Sequence, residues 1–272
     1  MEANLGRFPA QAEVPEPLKF AWPIVVLPEL FTTSRHLATL VGYFATIGWE
    51  VYAPDLHAVI GHGGTPSIEK LDFEKLVDLA GEAIAALERE AIVVGHGIGG
   101  LVALRLAERA TVKAAVAIAP LAPGFRTPLF MPRWNLFSSW QGRPLNPPTR
   151  RTLFEFVADA DVHSREQIIK TLTPGATAAA LEVAKGDIAF APAEKTAPRL
   201  IVAGESDIFA PYEKLEEFAN RIGAPIVKIP GRGHWLIGGR GLERAINEIQ
   251  RFLVRSLGRD LLLLYPEEWK NE

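Results

Sequence analysis

Apolar positions along the chain follow two alternating periods. The β-branched run Ile24–Leu27, closed by Pro28, predicts a short buried strand, and similar runs at 49–53, 91–94, 114–119, 200–203 and Ile226–Ile229 predict five more. Between them the spacing lengthens to three and four residues. Leu71, Leu76, Leu79, Ala83, Ile84 and Leu87 fall on one helical face with acids and lysine between them, and helices are likewise predicted over 33–47, 97–109, Tyr212–Ile222 and 241–257. Strands alternating with helices imply an α/β fold: a mostly parallel sheet flanked by helices and joined by right-handed crossovers. The rhythm breaks from 121 to 192, where Pro123, Pro128, Pro132, Pro144, Pro147 and Pro148 precede two short helical stretches near 149–158 and 165–172. A structureless loop of that length is unfavourable inside a compact domain. The expected organisation is therefore a core of residues 1–120 and 193–272 with a helical cap inserted at 121–192.

Composition narrows the chemistry by exclusion. At 272 residues, 48% hydrophobic and 22% charged, the chain is globular rather than disordered. A net charge of −3 gives no general affinity for nucleic acid or a membrane surface, so a small-molecule partner is expected. The absence of cysteine removes disulfides, thiolate nucleophiles and thiolate metal sites. Residues 1–20, with Glu2, Glu13 and Glu16, lack the basic start and apolar run of a secretory signal, and no stretch reaches the roughly 18 apolar residues of a membrane helix. The expectation is a cytoplasmic protein. The histidines show no metal-ligand spacing on one face, and neither a metal nor another cofactor is expected. Leu261, Leu262, Leu263, Leu264 and Tyr265 form an apolar run that is expected to pack back on the body; left exposed, it would serve as a homodimer contact.

The sharpest chemical signal lies where a strand, a tight turn and a helix meet at Val93-Val94-Gly95-His96-Gly97-Ile98-Gly99-Gly100. Read as a dinucleotide fingerprint, Gly95, Gly97 and Gly100 require an acid about 20 residues on, at the end of the next strand, and that strand ends instead at Ala119-Pro120. In its context the segment resembles the nucleophile elbow of the α/β-hydrolase superfamily, G-x-S-x-G, with Gly97 in the serine position. Two further loops resemble the same superfamily. Gly204-Glu205-Ser206-Asp207 follows a strand and is similar to the loop carrying the triad acid, and Gly231-Arg232-Gly233-His234-Trp235 is similar to the histidine loop. The resemblance runs from about residue 24 to 257 and implies that Asp207 orients His234 as a base. Few residues precede Ile24, so the superfamily's first two strands are expected to be short or missing.

Two elements depart from the superfamily pattern. Glycine has no side chain to attack with, which excludes an acyl-enzyme at position 97. Where the superfamily shows His-Gly after its first central strand, this chain has Pro28-Glu29-Leu30-Phe31, with Glu29 in the histidine place. The resemblance implies an oxyanion site built from the amide of Ile98 and that of Phe31, or of Leu30 after a one-residue shift. Glu29 is a second candidate for acid–base work, or else a carboxylate paired with an arginine or an amide. Losing the serine side chain leaves room for about one water beside His234. By the same reasoning Gly97→Ser would place a hydroxyl within reach of His234.

The proposed cap carries Phe125, Phe130, Trp134, Phe137 and Trp140 with Arg126 and other arginines, and no acid from 121 to 151. With Trp235 these residues either form an apolar pocket with an arginine to orient an anion, or form the core and wet surface of the cap. The expected function is a hydrolase-like enzyme without a serine nucleophile. It would act on a small, largely apolar substrate without a covalent intermediate, through a His234–Asp207 dyad that activates water for hydrolysis or transfers a proton in a lyase or isomerase reaction. The alternatives are a non-catalytic ligand-binding or regulatory protein, and an ordinary serine hydrolase whose elbow serine has been replaced by glycine.

Overall fold

The computed structural model describes residues 2–129 and 142–263. Its eight strands are β1 (Glu2–Leu5), β2 (Phe8–Glu13), β3 (Ile24–Leu27), β4 (Val51–Pro54), β5 (Ala91–His96), β6 (Val112–Ile118), β7 (Arg199–Gly204) and β8 (Ile226–Ile229). They form one sheet in the order β1-β2-β4-β3-β5-β6-β7-β8. From β4 to β8 every pairing is parallel, and β2 joins β1 and β4 antiparallel. The first two strands are thus short but present. In β2 the residues Phe8, Ala10 and Ala12 turn inward while Pro9 and Glu13 face out, the alternation of a half-buried strand.

Around the sheet lie α1 (Ala38–Thr46), α2 (Phe73–Ala85), α3 (Ile98–Leu106), α7 (Tyr212–Ile222) and α8 (Leu242–Leu257). The helix expected over 33–47 begins as a 3-10 turn, Ser34–Leu37, before α1. Strands β3, β5 and β7 are buried along their whole length, which is why they read as continuous apolar runs rather than alternating ones. Between β6 and β7 the described part of 121–192 contains α4 (Arg150–Phe156), α5 (Arg165–Thr171) and α6 (Thr177–Lys185).

Four loops leave the carboxyl ends of strands on one edge of the sheet: Pro28-Glu29 after β3, Gly97 after β5, Asp207 after β7 and His234 after β8. In open α/β sheets this edge is where ligands bind. At the chain's far end Leu261 is buried and Leu262 bridges Phe20, whereas Leu262 and Leu263 are largely exposed; Leu264 and Tyr265 lie outside the described residues. No helix among the described residues is long and apolar enough to cross a membrane.

Candidate active site

Two separate features of the turn from β5 into α3 favour glycine at position 97. Gly97 has φ 54° and ψ −118°, in the half of the map that side chains avoid. An ideal Cβ at Gly97 would also lie 0.8 Å from Oε2 of Glu29. The space left by the missing side chain is therefore filled by the Glu29 carboxylate, and the sequence-based expectation of a water there is corrected.

Glu29 is 2% exposed and reaches this position from a tight turn, in which the Thr32 amide and hydroxyl both donate to the Glu29 carbonyl at 3.0 and 3.1 Å. Its Oε1 accepts from the Leu30 amide at 2.8 Å and its Oε2 from the Ile98 amide at 2.9 Å. Ile98 is the first residue of α3, so the carboxylate sits at a helix N-terminus, where the dipole favours negative charge. The second backbone donor belongs to Leu30 and not to Phe31. Phe31 instead anchors the chain that follows α5, since its carbonyl accepts from the Thr173 amide at 2.9 Å and its ring is buried. Two amides that would hold an oxyanion in the superfamily pattern here hold a carboxylate of the protein itself.

On the other side of Glu29 stands His234. Its Nδ1 lies 2.8 Å from Oδ2 of Asp207, and its Nε2 lies 3.7 Å from Oε2 of Glu29, without a hydrogen-bond partner. The other oxygen of Asp207 accepts from the amides of Phe209 and Ala210, which fixes the carboxylate. The imidazole packs against the rings of Phe156 and Phe209 and against His96. Burial alone would lower the His234 pKa, but the Asp207 and Glu29 carboxylates outweigh it and raise the value to about 10, so the ring holds a proton at neutral pH. His96 behaves in the opposite way. Burial first, and then the neighbouring His234 charge, press its pKa down to about 3, and it is neutral. Its Nε2 lies 3.0 Å from the His234 carbonyl, while its Nδ1 is buried without a partner.

A family sequence model described as the alpha/beta hydrolase family matches residues 21–244. The chain belongs to this family. No curated protein matches it in sequence. Among solved structures, a monoacylglycerol lipase from Paleococcus ferrophilus superimposes with a TM-score of 0.70 at 19% identity, covering 92% of this chain and 100% of that one. A thermophilic esterase from Thermogutta terrifontis gives 0.63 at 18% identity, covering 92% and 94%. A lipase-esterase related protein from Clostridium acetobutylicum gives 0.67 at 14%, covering 91% and 100%. At such identities these neighbours establish the alpha/beta hydrolase fold.

Beside Glu29 this family member has a small cavity of about 50 Å³, lined by apolar side chains such as Leu30, Leu56, Ile68 and Ile98, with His57 on its wall. Of the residues expected to line a substrate pocket, Phe125 is half-buried against the core, Arg126 is exposed, and neither borders this cavity. Trp235 is buried against His96 and Phe156 and borders instead an open cleft with His36 and His163. The expectations for Phe130, Trp134, Phe137 and Trp140 lie outside the described residues. Sequence reasoning missed His57, which is largely buried with Nδ1 unpartnered, and Asp159, whose carboxylate accepts from the Gly233 amide and steadies the His234 loop. A histidine after a strand and an aspartate in a helical stretch carry no pattern that would single them out. The expectation of no metal-ligand grouping rested on sequence spacing. The fold brings Glu29, His96 and His234 together, with ligand atoms within 4.8 Å of one another.

Proposed function

We propose that this alpha/beta hydrolase family member hydrolyses small, largely apolar alkyl electrophiles of the epoxide class, with Glu29 as nucleophile and the His234–Asp207 pair as its acid–base partner. One observation carries the reading: the Glu29 carboxylate occupies the place of the absent residue-97 side chain, between the two backbone donors and 3.7 Å from His234. Acyl transfer needs those donors free for the substrate's oxyanion, and Glu29 occupies both. A carboxylate attacking a saturated carbon has no such need in its first step.

A Glu29 oxygen forms a bond to an epoxide carbon, the ring C–O bond breaks, and the departing oxygen takes the proton held by His234. Glu29 is then an ester and His234 a neutral base. Water attacks the Glu29 ester carbon while His234 takes its proton, and the tetrahedral oxyanion is met by the Leu30 and Ile98 amides. Collapse breaks the bond to the alkyl oxygen, which takes the proton from His234 as the diol leaves, and the proton of the regenerated carboxyl group then passes to the neutral His234. Atoms and charge balance as epoxide plus water to diol. Support for the cavity's role comes from its apolar lining. A volume of about 50 Å³ is well below the roughly 150 Å³ that accommodates benzene, which favours substrates of only a few heavy atoms.

Isotope tracing tests the reading. In a single turnover in H2(18)O, the oxygen entering the diol should be unlabelled and the heavy oxygen should appear in the peptide containing Glu29. Heavy oxygen passing directly into the product would overturn Glu29 as nucleophile and leave the dyad acting on water without a covalent intermediate. Binding of epoxides without turnover would place the protein among ligand-binding members of the fold.

A further inference from the structure

We propose that Glu29, His96 and His234 form a binding site for a divalent transition ion of the zinc class, a role distinct from the reaction above and exclusive of it. The three residues come from the ends of β3, β5 and β8 and converge on one point: one carboxylate oxygen and two ring nitrogens within 4.8 Å of one another, all three residues buried. Two of these side chains present a buried nitrogen with no partner, Nδ1 of His96 and Nε2 of His234.

The nitrogens on the far side of each ring are already engaged. His234 Nδ1 donates to Asp207 at 2.8 Å, and His96 Nε2 donates to the His234 carbonyl at 3.0 Å. Metal-binding histidines are held in this way, their second ring N–H given to a carboxylate or a backbone carbonyl so that the other nitrogen faces the ion. Glu29 Oε2 spends one lone pair on the Ile98 amide and keeps another for a ligand bond. Zinc bonds of about 2.0–2.1 Å put tetrahedral ligand atoms about 3.3 Å apart. The 3.7 Å between His234 and Glu29 is near this value, and all three ligand atoms lie within 4.8 Å of one another. Binding exchanges one ion for the proton on His234 Nε2. Glu29 cannot then attack a substrate, so the ion competes with turnover.

The test uses the full-length protein freed of metal by chelator and titrated with Co2+, whose visible bands report nitrogen and oxygen ligands in a low-coordinate site. One Co2+ per chain is expected, displaced by Zn2+, and the X-ray absorption of the zinc form should give two imidazole nitrogens and one carboxylate oxygen at about 2.0–2.1 Å. Glu29→Ala and His96→Phe should abolish the bands, and Asp207→Asn should weaken affinity about 10- to 100-fold, the usual effect of removing the partner behind a ligand. His163→Asn, at an exposed histidine, serves as control. Near-ultraviolet circular dichroism establishes which variants are folded; if His96→Phe is not, Glu29→Ala and the absorption spectrum of the parent decide. Absence of bands at large Co2+ excess, or bands unchanged in the folded Glu29→Ala protein, would overturn the site. Either result leaves the oxygen-tracing experiment on Glu29 untouched.

Discussion

Glu29 and Gly97 are complementary in space: a carboxylate from one loop fills the volume that a side chain at position 97 would need. Gly97→Ser alone therefore cannot install a working hydroxyl, contrary to the expectation drawn from the sequence. The new Cβ would drive Glu29 from two amides and from His234, and disrupting a buried charge of this kind costs about 3–5 kcal/mol. The expected outcome is a protein with a lowered Tm that a fluorophosphonate does not label. Glu29→Gly combined with Gly97→Ser should restore both the space and the two amides, and covalent labelling should appear and depend on His234. Labelling of the Gly97→Ser single variant at the rate of the double variant would show that Glu29 does not fill the elbow. At this scale the residues Gly97, Asp207, His234 and Glu29 were legible in the sequence as separate departures or matches. Their mutual fit was not, because it is a relation between loops 68 residues apart that no local spacing encodes.

Helix α3 must lie close against β3 for its first amide to reach Glu29. Gly99 permits this: a Cβ there would stand 2.4 Å from the Pro28 carbonyl oxygen and 2.7 Å from that of Leu27. Gly99→Ala should lift α3 from β3, costing about 1–3 kcal/mol as overpacking does. Because Pro28 precedes Glu29, the carboxylate would move with it. Chemical denaturation measures the first effect, and heavy-oxygen incorporation into Glu29 measures the second. Full stability with unchanged labelling would mean that the contact does not position Glu29. The elements themselves were mostly legible. Buried parallel strands such as β3 and β5 are β-branched runs with clear ends, and α2 shows its apolar face directly. The hairpin of β1 and β2 escaped notice because its inward residues include two alanines and only two large apolar side chains, Leu5 and Phe8. Helix α6 escaped because it is short and lies among the prolines and glycines of an irregular segment.

Across the molecule, the segment between β6 and β7 is tied to the loops around the site through two histidines. His36 accepts from the Thr33 amide at Nδ1 and meets the Thr171 hydroxyl through Nε2 at 3.0 Å, while His57 Nε2 lies 3.5 Å from the Thr173 hydroxyl. Burial is the main cause lowering both pKa values from 6.5. At His36 the backbone of Thr33 and Ile168 opposes the shift while the charges of His57 and Arg35 add a smaller lowering, and Asp55 opposes the shift at His57. Both rings therefore take up a proton less readily in the folded chain than in the unfolded one, which protonates them near pH 6.5. The unfolded state therefore binds more protons below that pH, and the stability these rings confer is complete above about pH 6.5 and declines as the pH falls. Acidification should loosen the 142–173 region first, since that is what Thr171 and Thr173 anchor. Hydrogen exchange in this region, compared between pH 7.5 and pH 5.5, should show faster opening at the lower pH. His36→Asn with His57→Gln keeps an acceptor near each original nitrogen but cannot titrate, and should flatten the pH dependence by up to two protons. If the double variant retains the parent's full acid sensitivity while folding normally, the charge that loosens the segment resides elsewhere.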